Sequence, residues 1–242
     1  SVRAPFFVYA ATLTMAAWVA YTQLPKNLGH PSHDETLSTT EAHMPLTSAA
    51  KLREYWTALT LNLTLGTTVF GMRNALLPLF VVEILHRGPQ MASIGFLVST
   101  VCQVAVQRTA GGLTDSRGRR YSLIAGSIGL IAALSLIMAV ESLPAYIVYM
   151  GMLGASTAFL GSGSAAVVGD IVAGRKGGPV VSTYQMTGDL GMVIGPLVTG
   201  WLRDVSNGYV LPFGFALVVA VAMAAMVSRM PETKTRQYTT VD

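Results

Sequence analysis

The chain has 242 residues, of which 52% are hydrophobic and only 12% charged, with a mean hydropathy of +0.52. A soluble domain carries about twice that charged fraction, so the composition excludes one and points to a membrane-embedded chain. The net charge of +4 then reports topology rather than a nucleic-acid partner, and the single Cys102 cannot form an intramolecular disulfide.

Seven apolar segments reach the length of about 20 residues that a bilayer span requires. They cover 5–24, 56–81, 91–109, 121–140, 145–168, 183–202 and 210–228. Lipid leaves no partner for unpaired backbone groups, and the alternating polarity of a barrel is missing, so the spans are expected to be helices. Residues 1–25 make a poor signal peptide: the apolar run is membrane length and Thr22-Gln23-Leu24-Pro25 is a poor cleavage site. The chain is therefore expected to begin inside a larger protein. Residues 26–54 form the one long connection, polar and carrying His30, His33 and His43. We read it as a solvated linker and not as a metal site, because no cysteine or ordered third ligand accompanies the histidines.

Lysine and arginine placement sets the orientation. With the tail cytoplasmic, the inner segments hold Lys26, Lys51, Arg53, Arg108, Arg117, Arg119, Arg120, Arg175, Lys176, Arg229, Lys234 and Arg236. The outer segments hold Arg3, Arg87 and Arg203. That asymmetry is the positive-inside pattern.

Ionisable residues inside spans are costly and stand out as functional candidates. Arg73, in the second span, is either functional or snorkels to the outer interface. Asp189, in the sixth, is either functional or makes a structural hydrogen bond or salt bridge. Glu83 and Asp170 fall at span ends. Thr60, Thr64, Thr67, Gly71, Asn74 and Pro78 are spaced by four and three, which places them on one helical face, as a cavity wall or a packing seam. Pro78 is expected to break the helix locally and Pro196 to kink the sixth span. Gln103 and Gln107 should face the interior. Gly151, Gly154, Gly161, Gly163, Gly191, Gly195 and Gly200 predict close helix packing. The histidines lie outside the spans and no HExxH or GxSxG pattern fits, so neither catalysis nor a cofactor is expected.

Between the third and fourth spans runs a glycine-punctuated basic turn, 111–120. Its pattern Gly111-x-x-x-Asp115-x-x-Gly118-Arg119-Arg120 resembles the loop signature of the major facilitator superfamily, in the copy between helices eight and nine. Ser116 stands where the family usually has a basic residue, with Arg117 one place on. Gly188-Asp189-Leu190-Gly191-Met192-Val193-Ile194-Gly195-Pro196 is similar to helix eleven of drug-exporter-like members, and the segment 70–80 to their helix seven. Pro231-Glu232-Thr233-Lys234 is similar to the sugar-porter ending.

The resemblance implies an all-α membrane protein: helix six of the N-terminal half (1–25), a cytoplasmic linker (26–54), the C-terminal six-helix bundle (55–230) and a cytoplasmic tail (231–242). It implies alternating access around a midplane site, with proton-coupled export of small hydrophobic molecules or drugs across the plasma membrane. A sugar or metabolite importer, or a truncated subunit that packs with a partner half without transporting, are the alternatives. The implied partners are the lipid bilayer, the missing N-terminal half, a small-molecule substrate and the proton. By resemblance, Thr60, Thr64, Thr67, Arg73 and Asn74 would line the cavity, joined by Tyr149, Ser156 and Gly163. Gly111, Asp115, Gly118, Arg119 and Arg120 would form a gate. Asp115 would latch onto the positive N-terminus of helix five in the other half. Asp189, Gly191, Gly195 and Pro196 carry the helix-eleven motif.

Overall fold

The computed structural model describes residues 4–23, 44–173 and 175–233. His30, His33, His43, Lys26, Lys234 and Arg236 lie outside them. The chain divides into two compact units, 1–41 and 42–242. Among its described residues the first holds one helix, α1 (Ala4–Gln23), whose side chains are exposed wherever they are described.

The second unit starts with a single turn, α2 (Leu46–Ala49), then a continuous rod made of α3 (Arg53–Thr64), a π-helical segment (Leu65–Met72) and α4 (Arg73–Glu83). Four helices follow in hairpin succession: α5 (Gln90–Arg117), α6 (Arg119–Ala139), α7 (Leu143–Val172) and α8 (Gly178–Ser206). The bundle closes with α9 (Val210–Ser228). A helix thus stands at each expected span. The rod, α5, α6, α7 and α9 are long and apolar enough to cross a membrane. α8 has the length, 29 residues, but carries Asp189 and more polar side chains.

α5 and α6 lie along α7, α8 lies along α3 and the π-helical segment, and α9 closes against α6 and α3. The core is built from Tyr55, Leu61, Met72, Leu76, Leu77 and Phe80 of the rod, Leu123 and Leu130 of α6, Tyr146 and Tyr149 of α7, and Phe213 of α9. The outside is apolar too: Leu97 and Val104 of α5, Leu190, Leu197 and Trp201 of α8 and Val218 of α9 are exposed. That is the surface a hydrocarbon solvent selects.

Several expectations change. The turn is far shorter than ten residues. α5 runs through Gly111, Gly112 and Asp115 as far as Arg117, and α6 starts at Arg119. Gly118 alone breaks the helix, at φ 105° and ψ 160°, a backbone region open in practice only to glycine. The rod runs helically through Pro78, and its irregularity is instead the π-helical segment, where i→i+5 bonding inserts an extra residue; α8 is helical on both sides of Pro196, which a kinked helix also is. Gly161 and Gly200 face open space and take no part in close packing.

The final part of the expected linker is folded. Met44 N donates to Lys176 O (3.1 Å), and Met44 and Ala49 are buried. Tyr55 donates its hydroxyl to Val180 O (2.9 Å), tying the start of the rod to α8.

Candidate functional site

Arg73 opens α4. Roughly 15 Å of helix rise, at about 1.5 Å per residue, separates it from the rod's end at Glu83. Its Nη1 donates to Ser99 Oγ of α5 at 3.3 Å. The guanidinium lies over the rings of Phe70 (5.7 Å) and Phe96 (5.5 Å), contacts that stabilise a desolvated cation. Tyr146 and Tyr149 of α7 are its electrostatic neighbours. The side chain therefore turns into the bundle and does not snorkel. Both tyrosines are fully buried, and their hydroxyls and Arg73 Nε lack hydrogen-bond partners among the described residues. No carboxylate pairs with Arg73 there either.

Of the expected cavity residues, the structure brings Arg73 and Tyr149 together, with exposed Asn74 next in the chain. The others go elsewhere. Thr60 Oγ1 bonds Trp56 O (2.9 Å) and Thr67 Oγ1 bonds Leu63 O (2.8 Å) along their own helix, and Thr64 is buried. Ser156 bonds Met152 O (2.7 Å) and its hydroxyl sits 2.5 Å from where a Gly129 Cβ would stand, so it faces α6. Gly163 faces Leu123, also of α6. Sequence reasoning missed Ser99, Phe96 and Tyr146. The only available signal was that a buried arginine needs neighbours on adjoining helices.

Thr67 and Gly71 belong to a packing seam. A Cβ on Gly195 would come within 2.5 Å of Thr67 O and 3.1 Å of Gly71 Cα, and one on Gly191 within 2.5 Å of Leu63 O. Gly66 meets the backbone carbonyl of Gly188. Here two backbones touch, the close approach that small residues give membrane helices. The π geometry moves Gly66 and Gly71 onto this seam together. Asp189 lies beside the seam. It is exposed and lines a cavity of about 210 Å³ with Asn62, Phe70, Gln185 and Met192, and a groove of about 530 Å³ with Met186, Leu190 and Val193. No hydrogen bond or ion pair holds Asp189 among the described residues, so the structural-bond alternative finds no support there. Gln107 reaches across to Ser162 Oγ (3.1 Å).

The motif turn is the hub of a charged network. Arg119 is bidentate to Asp170, Nε–Oδ2 at 2.9 Å and Nη2–Oδ1 at 3.1 Å, geometry that suits a guanidinium. It also donates to Thr114 O (3.1 Å) and Asp115 Oδ1 (3.2 Å). The Glu232 carboxylate accepts from the backbone N–H groups of Arg119 (2.8 Å) and Arg120 (3.2 Å). Thr233 Oγ1 donates to Asp170 Oδ2 (2.9 Å), and Arg120 Nη2 bonds Ser228 O. Glu232 thus caps the positive end of α6 from within the same chain.

At the opposite end Arg203 Nη2 holds both oxygens of Glu83 (2.7 and 2.6 Å), and Tyr209 donates to Glu83 Oε2 (2.6 Å). Burial first, and then the Glu83 carboxylate it binds, push the Tyr209 hydroxyl up to about 12.

The model of the Major Facilitator Superfamily matches residues 59–240. The chain belongs to that superfamily. It is a multi-pass membrane protein of an all-α fold. Among curated major-facilitator relatives it is 29% identical over 118 residues to the multidrug transporter protein MdtP of Bacillus subtilis (strain 168), covering 47% of this chain and 22% of that one. It is 26% identical over 123 residues to solute carrier family 2, facilitated glucose transporter member 12, of Danio rerio (51% and 20%). It is 24% identical over 139 residues to the multidrug resistance protein MdtG of Serratia proteamaculans (strain 568) (56% and 34%). The matched stretch thus spans about a fifth to a third of each of these relatives' length.

Proposed function

We propose that this chain is the C-terminal portion of a secondary active transporter that works by alternating access and exports small hydrophobic molecules or drugs, driven by protons entering down their gradient. In this reading residues 1–25 are the last helix of the N-terminal half, 26–54 the inter-domain linker, 55–230 the C-terminal bundle and 231–242 the tail. The basic end faces the cytoplasm at the plasma membrane, as the lysine and arginine asymmetry suggests. The observation that carries the reading is the centre at Arg73, Tyr146 and Tyr149. A cation and two unpartnered hydroxyls at membrane depth cost stability, and a solute pathway is what such groups serve. The names of two multidrug relatives favour export. The docking of Glu232 and Thr233 against the motif turn, beside a glucose-transporter relative, favours import of a sugar or metabolite as the second reading.

Alternating access can be tested without knowing the solute. In the intact protein, with its native thiols replaced by serine, Cys102 among them, Asn74→Cys should react with a membrane-impermeant maleimide in both right-side-out and inverted vesicles. Labelling from one face alone overturns alternating access and favours a non-transporting subunit. Protonophore-sensitive exclusion of a hydrophobic dye then selects export, and proton-driven hexose accumulation selects import.

A further inference from the structure

Resting on the transporter reading, we propose that Arg73, Tyr146 and Tyr149 form an anion site, and that the solute is an organic acid whose carboxylate binds there. The donor inventory carries the argument. Arg73 Nε and the hydroxyls of Tyr146 and Tyr149 are buried and unpartnered, and each brings a proton to donate. Ser99 already takes the Arg73 Nη1 proton. The cluster therefore offers several donors and one positive charge, and no ion pair neutralises it among the described residues. A carboxylate accepts several hydrogen bonds and supplies the missing charge. A cationic solute would meet a like charge.

The surroundings orient such a solute. Phe70 packs on the guanidinium and also lines the cavity of about 210 Å³, so the cavity and the cation share this ring as a neighbour. Asp189 lines the same cavity and disfavours negative charge on its side. The carboxylate therefore belongs toward Arg73 and away from Asp189. The uncharged body lies against Phe70 and Met192, an aromatic and a thioether surface that adapt to varied apolar shapes.

The test uses the purified intact protein in detergent and three probes of one shape: benzoate, uncharged benzamide and cationic benzylamine. Benzoate should raise the unfolding temperature saturably, and the other two should not. Arg73→Gln should weaken benzoate binding at least tenfold, the scale of a lost hydrogen bond to a charged group. Arg73→Lys should retain more affinity than Arg73→Gln, and Tyr149→Phe should cost severalfold. If Arg73→Gln fails to fold, Tyr149→Phe and Tyr146→Phe carry the same comparison. Equal stabilisation by benzamide or benzylamine, absence of a saturable benzoate shift, or benzoate affinity unchanged in the folded variants overturns the anion site. Two-sided labelling of Asn74→Cys alongside any of these results would leave alternating access standing without it.

Discussion

Gly118→Ala separates the two contributions that hold the motif turn. The backbone at φ 105°, ψ 160° costs an L-residue about 1–3 kcal/mol. The new methyl would stand 2.7 Å from Glu232 Cδ, so the carboxylate must leave the start of α6. Its two backbone hydrogen bonds, to Arg119 and Arg120, are partly solvent-exposed, and together they are worth about 1 kcal/mol after screening. The charge–dipole contribution adds roughly 0.3–1 kcal/mol. The expected loss is about 2–5 kcal/mol, a fall of roughly 4–20 °C in unfolding temperature for a chain of this size. Thermal unfolding in detergent, followed by circular dichroism, reads it. In a Glu232→Ala background the same substitution should cost roughly 1–2 kcal/mol less, because the cap is already gone. Equal costs in the two backgrounds would refute the cap, and a Gly118→Ala protein within about 0.5 kcal/mol of the parent would refute the backbone argument.

The seam and the far end give sharper contrasts. Gly195→Ala puts a methyl 2.5 Å from Thr67 O, where only backbone can yield. It should destabilise by about 1–3 kcal/mol, while Gly200→Ala, facing open space in the same helix, should be neutral or stabilising by up to about 1 kcal/mol; unfolding temperatures that fail to separate the two would rule out the backbone contact. Tyr209, raised to about 12 when folded against an ordinary 10, contributes stability that is complete below pH 10 and lost as pH rises toward 12. The gap in unfolding temperature between the parent and Tyr209→Phe should therefore shrink between pH 9 and 11.5, and a constant or widening gap contradicts the assignment.

The spans were legible because lipid demands helices of a minimum length, and composition records that demand directly. The π-helical segment was not. Nothing in Leu65-Gly66-Thr67-Thr68-Val69-Phe70-Gly71-Met72 encodes i→i+5 bonding, so the Thr/Gly/Asn stripe drawn at 3.6 residues per turn fell on two surfaces. Gly111, Asp115 and Arg117 read as loop because charge and glycine usually mark loops, yet a helix reaching past the hydrocarbon carries both without breaking. Arg73 was visible as a charge in a span, while Ser99, Phe96 and Tyr146 look like any membrane-helix residues until three helices converge. Glu232 and Thr233 dock on groups more than sixty residues away in sequence, a distance local pattern cannot bridge.

From Arg53 to Ser228 the polypeptide runs the length of the bundle six times. An even number of passes returns it to the end it left, so residues 44–52 and 230–233 lie at the same, basic end of the bundle. Any segment joined at either side of the bundle meets it at that same surface. Such a module can be copied or spliced in tandem without turning it over, the arithmetic behind parallel repeats in membranes. An odd number of passes would instead invert each successive copy.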